Sequence, residues 1–242
     1  MGSLCRLAIG FSAAFAVPLA STATACIPEG RSVLLMLDAS YSMLRGVSRT
    51  GPTRFMVARE ALYSVVDRYP RDGHLALRLY GSESHSFKKN CEDTVLAVPF
   101  AQASANAALI KLTLAQSHAR GLTPMSLALE QAIADFGDAY QEKRIVIVTD
   151  GGETCGGNPC ATALQMAEKG FVIDTVGFLL NERISRDQLV CIAKVTHGTY
   201  VDVRSHLELV DRLADLLAEC AIADAPKGRD WDDMVVLTAA TD

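Results

Sequence analysis

Two short apolar runs, Val33-Leu34-Leu35-Met36-Leu37 and Ile145-Val146-Ile147-Val148, each lead towards an aspartate, Asp38 and Asp150. Runs that are apolar at every position, with no alternation, suit strands buried on both faces, and such strands occur where helices cover both sides of a parallel sheet. Between and after them the period lengthens. Phe55, Ala58, Leu62, Val65, Val66 and Tyr69 recur at spacings of three and four, which predicts a helix stopping at Pro70. Leu75 to Tyr80 reads as a second strand and Thr94 to Phe100 as a third. The link between those two holds Cys91 and no helix, so the third strand is expected to return antiparallel at an edge. Ala103 to Leu114 and Pro124 to Phe136 read as helices, the second opening on Thr123 as a cap with Pro124 at the first helical position. After Ile145 to Val148 come a helix from Ala161 to Lys169 stopped by Gly170, a strand from Val172 to Phe178, and a helix from Asp187 to Thr196 stopped by Gly198. The pattern closes with a strand from Thr199 to Val203 and a helix whose inner face carries Val210, Leu213, Leu217 and Cys220. The expected fold class is α/β: a doubly wound, mostly parallel six-stranded sheet with one antiparallel edge strand and helices on both faces.

The front of the chain follows another rule. Arg6 precedes an apolar run from Leu7 to Ala20 that is too short for a mature membrane span, and Ala23-Thr24-Ala25 forms a small-x-small cleavage signature. Residues 1–25 therefore read as a secretory signal peptide, residues 26–221 as one domain and residues 222–242 as a C-terminal tail. Gly10 and Pro18 argue against the alternatives of an uncleaved anchor or a buried helix. The leader raises the mean hydropathy, which is +0.19 over the whole chain. The expected location is exported, periplasmic or extracellular. Cys26 would be the first mature residue, so a lipoprotein is conceivable, but Ala23 stands where a lipobox usually has Leu; membrane contact is expected only if Cys26 is lipidated. Removing Cys5 leaves Cys26, Cys91, Cys155, Cys160, Cys191 and Cys220, an even set that reads as disulfides in an exported chain. A zinc site would need a second pair to match Cys155 and Cys160, and redox catalysis usually has two intervening residues rather than four. With 50% hydrophobic residues, 21% charged and a net charge of −5, the chain can bury a large core and offers no basic surface for nucleic acid.

Chemistry gathers where the strands end. If the loop is roughly extended, Asp38-Ala39-Ser40-Tyr41-Ser42 puts three oxygen side chains on one side, and open parallel sheets bind ligands outside the carboxyl ends of their strands. Serines after a strand commonly satisfy turn amides or cap a helix, and an isolated D-x-S-x-S favours that reading. Position shifts the balance towards a ligand site, since Asp38 and Asp150 both follow continuous apolar strands. Aspartates and hydroxyls are hard oxygen ligands, suited to Mg2+, Mn2+ or Ca2+ rather than to zinc or copper. Glu153 and His118 read as solvated loop residues, and Tyr41 as pointing away from the two serines to form contact surface.

Through Asp38-x-Ser40-x-Ser42, Gly121-Leu122-Thr123-Pro124 and Val148-Thr149-Asp150-Gly151, the chain from Arg31 to about Cys220 resembles the von Willebrand factor type A domains that carry a metal-ion-dependent adhesion site. The resemblance implies that Ser40, Ser42 and Thr123 supply hydroxyls and Asp38 and Asp150 charge to one divalent cation, Mg2+ first. It further implies a binding module in which the cation engages an Asp or Glu of a protein partner. The chain is expected to be monomeric and not an enzyme; a metal-assisted hydrolase and a structural envelope protein with a vestigial site are the alternatives. Thr149 to Cys160, with Cys191-Ile192-Ala193 and Gly198-Thr199-Tyr200, resembles exported bacterial members, which usually carry Glu where Gly152 stands. From the topology, Cys26 is expected to meet Cys220. Cys91 with Cys155 and Cys160 with Cys191 are slightly preferred to a local Cys155–Cys160 bridge. Related domains couple their metal to sliding of the last helix, and a bridge at Cys220 would hold this one in a fixed affinity state.

Overall fold

A computed structural model describes residues 31–137, 140 and 142–218. The leader, Cys26, Cys220 and the tail lie outside the described residues, and with them the expected Cys26–Cys220 bridge. The six strands are β1 (Ser32–Asp38), β2 (His74–Tyr80), β3 (Thr94–Gln102), β4 (Lys143–Thr149), β5 (Phe171–Phe178) and β6 (Tyr200–Val203). The helices are α1 (Arg54–Val66), α2 (Ala103–Gln116), α3 (Met125–Phe136), α4 (Pro159–Ala167), α5 (Arg183–Val195) and α6 (His206–Ala218). The strands form one sheet in the order β3-β2-β1-β4-β5-β6. All pairings are parallel except β2 with β3, whose register shifts between Leu75 and Arg78. The doubly wound sheet with an antiparallel edge is thus as the sequence predicts.

Every residue of β1 is buried, which is what an unbroken apolar run requires. Its side chains alternate between two cores. Val33, Leu35 and Leu37 pack with Leu62 of α1, Ile110 of α2 and Leu213 of α6, while Leu34 and Met36 pack with Leu129 of α3, Met166 of α4 and Ile192 of α5. Each large aliphatic side chain so buried contributes about 2 kcal/mol. The inner face of α6 consists of Leu209, Leu213, Leu216 and Leu217, with Val210 only partly buried and Leu207 74% exposed. Leu213 and Leu217 are buried as expected and Val210 packs at the margin of the core, while Leu209 and Leu216 join the face and Cys220 lies outside the described residues.

Arg78 on β2 forms a two-pronged contact with Asp135 of α3 at 2.7 Å and 2.7 Å, and its remaining nitrogen donates to Thr94 of β3 and Gln131 of α3. Edge strand, inner strand and helix are locked by one guanidinium. From β1 the chain winds outwards to β2 and β3, then returns to β4 on the other side of β1. That reversal opens a crevice outside the carboxyl ends of β1 and β4, where Asp38 and Asp150 lie.

Candidate functional site

Asp38 ends β1 with its whole residue buried. Its Oδ1 accepts from the Ser40 amide at 2.7 Å and its Oδ2 from the Thr149 hydroxyl at 2.6 Å, which ties the ends of β1 and β4 together. Ser40 and Ser42 follow in a short 3-10 turn, their hydroxyls 2.9 Å apart, and the Ser42 hydroxyl donates to Asp150 Oδ1 at 2.6 Å. Four of the five expected residues therefore form one continuous set of contacts. The fifth, Thr123, is buried and lines the same cleft of about 240 Å³ as Ser42 and Asp150.

Backbone packing explains why these loops can approach so closely. Ser40 forms a parallel bridge with Gly121, the Tyr41 amide donates to the Gly121 carbonyl at 2.8 Å, and the Gly121 amide donates to the Gly81 carbonyl at 2.7 Å. A Cβ at Gly121 would sit 2.6 Å from the Gly81 Cα, and one at Gly81, whose φ is +74°, would sit 2.5 Å from the Leu122 carbonyl oxygen. Only glycine fits either position, and the loop after β1, the loop after β2 and the loop before α3 meet there as a result.

Thr123 does not cap α3 with its side chain, contrary to the sequence reading. Pro124 occupies the capping position itself. Proline offers no side-chain acceptor, and the work passes to Glu153, whose Oε2 accepts from the Ser126 amide at 2.8 Å while Oε1 accepts from the Cys155 amide at 2.6 Å. Glu153 is thus a half-buried clamp rather than a solvated loop glutamate. Thr123 is instead clasped to Thr154: its amide donates to the Thr154 hydroxyl at 2.8 Å, and its carbonyl accepts from the Thr154 amide at 3.1 Å. Disulfides join Cys91 to Cys155 and Cys160 to Cys191, the two expected bridges within the described residues. The loop from Asp150 to Cys160 is fixed along its length. Tyr41 is 61% exposed and faces outwards, and His118 is exposed, both as expected.

Arg54 was not foreseen. Its Nη1 donates to Asp150 Oδ2 at 2.7 Å, with the two side chains only 8% and 0% exposed. A signal for it existed. Arg54 stands in the first turn of α1, directly after the capping Thr53, where the helix dipole disfavours a cation, so a basic residue there calls for an acidic neighbour. This ion pair reaches Asp150 alone, while Asp38 is held by the Ser40 amide and the Thr149 hydroxyl. Burial first, and the charge of Asp150 second, push the Asp38 carboxyl up to about 7. Burial, then the Asp38 charge, also holds the phenol of Tyr80 well above its usual range.

The donor set is oxygen throughout, carboxylates and hydroxyls with one excess negative charge, and this fits a hard divalent cation. Among the described residues no three His, Cys, Asp or Glu side chains gather as a metal cluster, so any cation held here depends on the hydroxyls as well.

The von Willebrand factor type A domain matches residues 32–213, the whole sheet and most of α6. The chain belongs to this family. It is 31% identical over 176 residues to the uncharacterized protein YwmC of Bacillus subtilis (strain 168), covering 70% of this chain and 75% of that one. Among solved structures, the conserved hypothetical protein BatB from Bacteroides thetaiotaomicron superposes with a TM-score of 0.62 at 20% identity, over 78% of this chain and 98% of that one. Proximal thread matrix protein 1 from the mussel byssus, with a zinc occupied MIDAS motif, superposes with a TM-score of 0.60 at 18% identity, over 78% of this chain and 46% of that one. Likeness at this identity establishes the shared fold. No helix among the described residues is long and apolar enough to cross a membrane.

Proposed function

We propose that this type A domain is an exported binding module in which Asp38, Ser40, Ser42, Thr123 and Asp150 hold one divalent cation, Mg2+ first and Mn2+ or Ca2+ as alternatives. When bound, the cation supplies a Lewis-acid position for a carboxylate oxygen from an Asp or Glu of a protein partner. The observation that carries this reading is the contact chain from the Ser40 hydroxyl to the Ser42 hydroxyl at 2.9 Å and on to Asp150 Oδ1 at 2.6 Å, beside the buried Asp38. Neighbouring ligands of an octahedral Mg2+ at about 2.1 Å stand about 3 Å from one another, so these oxygens are already spaced near the edge of such a shell.

The chain's residues divide the work. Asp38 and Asp150 supply charge from rigid strand ends, the two serines fix the spacing, and Thr123 closes the set from the loop held by Thr154. Tyr41, on the outer side of the serine loop, offers contact area beside the cation. Glu153 keeps its carboxylate on two backbone amides, which fits a structural clamp better than a general base. The two bridges and the sequence of residues 1–25 support export.

The test is thermal unfolding with and without Mg2+, Mn2+, Ca2+ and Zn2+, for the wild type and Asp38→Ala. Zn2+ is included because the mussel protein holds it at its own motif. A rise in Tm with at least one cation, absent in Asp38→Ala, is the expected result, and a flat response from the wild type would end the proposal. Cation-dependent capture of a protein from the envelope fraction, lost in the same variant, then tests the adhesive role.

A further inference from the structure

The surface around the cleft has a defined character. Ile184, 74% exposed, lines it on one side; Tyr41, 61% exposed, and Leu44, 44% exposed, stand by the serine loop; and exposed Arg45 lines the cleft beside Ser42. A ligand suited to this surface carries a carboxylate for the cation and for Arg45, next to an aromatic or aliphatic stretch for the apolar rim. The chain holds such a stretch beyond its described domain. Asp230-Trp231-Asp232-Asp233-Met234-Val235-Val236-Leu237 places three carboxylates around the only tryptophan of the protein and follows them with four apolar residues.

We propose that this segment docks on the cleft of its own chain, with one of Asp230, Asp232 and Asp233 presented to the cation, so that the protein carries an internal ligand that an external partner must displace. The inference rests on the cation-site reading above. Its reach is sufficient. Helix α6 starts just beyond the end of β6, on the edge of the sheet that bears the site, and its 13 residues run back by about 20 Å to Ala218. Between β6 and β1 lie three strand spacings, about 14 Å. The chain from Ala218 to Asp230 spans up to roughly 40 Å when extended, enough to return along the side of the domain to the cleft. Charge and apolarity agree as well. The cleft is also lined by Asp150, Glu153 and Glu182, so the Asp-rich segment would be drawn by the bound cation with Arg45 beside it, and Trp231 with Met234 to Leu237 would cover side chains that otherwise stand in water.

Because Trp231 is the sole tryptophan, its fluorescence reports this segment alone. In the full chain, Mg2+ is expected to shift Trp231 emission to the blue and raise its anisotropy, and Mn2+ to quench it through proximity to the unpaired electrons. Both responses are expected to vanish in Asp38→Ala and in the triple variant Asp230→Asn, Asp232→Asn, Asp233→Asn. The triple variant should keep the cation-dependent rise in Tm, because its cation site is intact. A wild type that gains stability with cation while Trp231 stays unchanged overturns the docking proposal and spares the site. No gain in stability and no fluorescence change would remove both. A fluorescence response that grows with protein concentration, with dimers in sedimentation, overturns docking within one chain in favour of a second copy.

Discussion

Arg54 and Asp150 set the electrostatic terms of the cleft. An ion pair with side chains 8% and 0% exposed has lost nearly all hydration, and removing one partner leaves the other charge uncompensated. Arg54 therefore acts as the resident counter-ion of Asp150, and with a cation held as proposed it would add to the positive charge of the site. Arg54→Gln is expected to cost about 3 kcal/mol in the cation-free protein, measured by urea unfolding in EDTA. The same variant should gain more from cation than the wild type does, since the metal then compensates two carboxylates that have no other counter-charge. If cation raised the Tm of Arg54→Gln less than that of the wild type, Arg54 would instead be orienting Asp150 for the metal. Single residues were also where the sequence was hardest to read. Asp38, Ser40, Ser42 and Asp150 could be named because their spacing and strand-end positions are periodic facts. Arg54 depends on a contact with a residue far along the chain, and the periodicity that located α1 weighs only apolar positions.

Among the elements, the segment from Asp150 to Cys160 contains no regular structure before α4 and is nevertheless among the most tethered parts of the molecule. Thr154 clasps Thr123, the Glu153 amide donates to Gln188 of α5 at 3.0 Å, and the Glu153 carboxylate caps α3. The Cys91–Cys155 and Cys160–Cys191 bridges close loops with sequence separations of 64 and 31 residues, each stabilising by about 4 kcal/mol in the chain-entropy account. Glu153→Ala is expected to destabilise the fold by about 1 to 2 kcal/mol, as loss of a helix cap does, and to weaken cation binding several-fold by freeing Thr123 and Asp150 together. Denaturant unfolding and calorimetric titration with Mg2+ measure the two effects, and a stability loss with unchanged affinity would show that the clamp serves α3 alone. The strands, helices and both bridges were legible because apolar period and cysteine topology report the sheet directly. The clamp was not, since a glutamate in a polar loop looks solvated until the proline at the cap position leaves an amide in need of an acceptor. On α6 the buried Leu213 and Leu217 were legible, whereas Leu209 and Leu216 were not. Leu207, Leu209, Val210, Leu213, Leu216 and Leu217 satisfy more than one helical register, and the partner surface decides between them.

At the scale of the whole molecule, the site couples folding to protons and, on the proposed reading, to a cation as well. Asp38 has its carboxyl pushed up to about 7 by burial and by Asp150, against an unfolded value near 3.8. Between about pH 4 and pH 7 the folded protein therefore holds a proton that the unfolded chain has released. Stability in this window must decline as pH rises, because the side that binds more protons is favoured at lower pH. The direction is opposite to that of an ordinary paired carboxylate. A divalent cation held as proposed would reverse it, since the charged form of Asp38 would then be the favoured one and metal and proton would compete for the same oxygens. The expected outcome is a urea midpoint that falls with pH in EDTA and a cation-induced gain that widens as pH rises from about 5 to about 8. Asp38→Asn removes the competing proton and should flatten the EDTA profile. A wild-type profile in EDTA that climbs across the same range would mean that Asp38 is ionised in the folded protein without a metal. The Arg54 counter-charge and the Ser40 and Thr149 hydrogen bonds would then suffice to hold both carboxylates charged, and the electrostatic case for a cation would be correspondingly weaker.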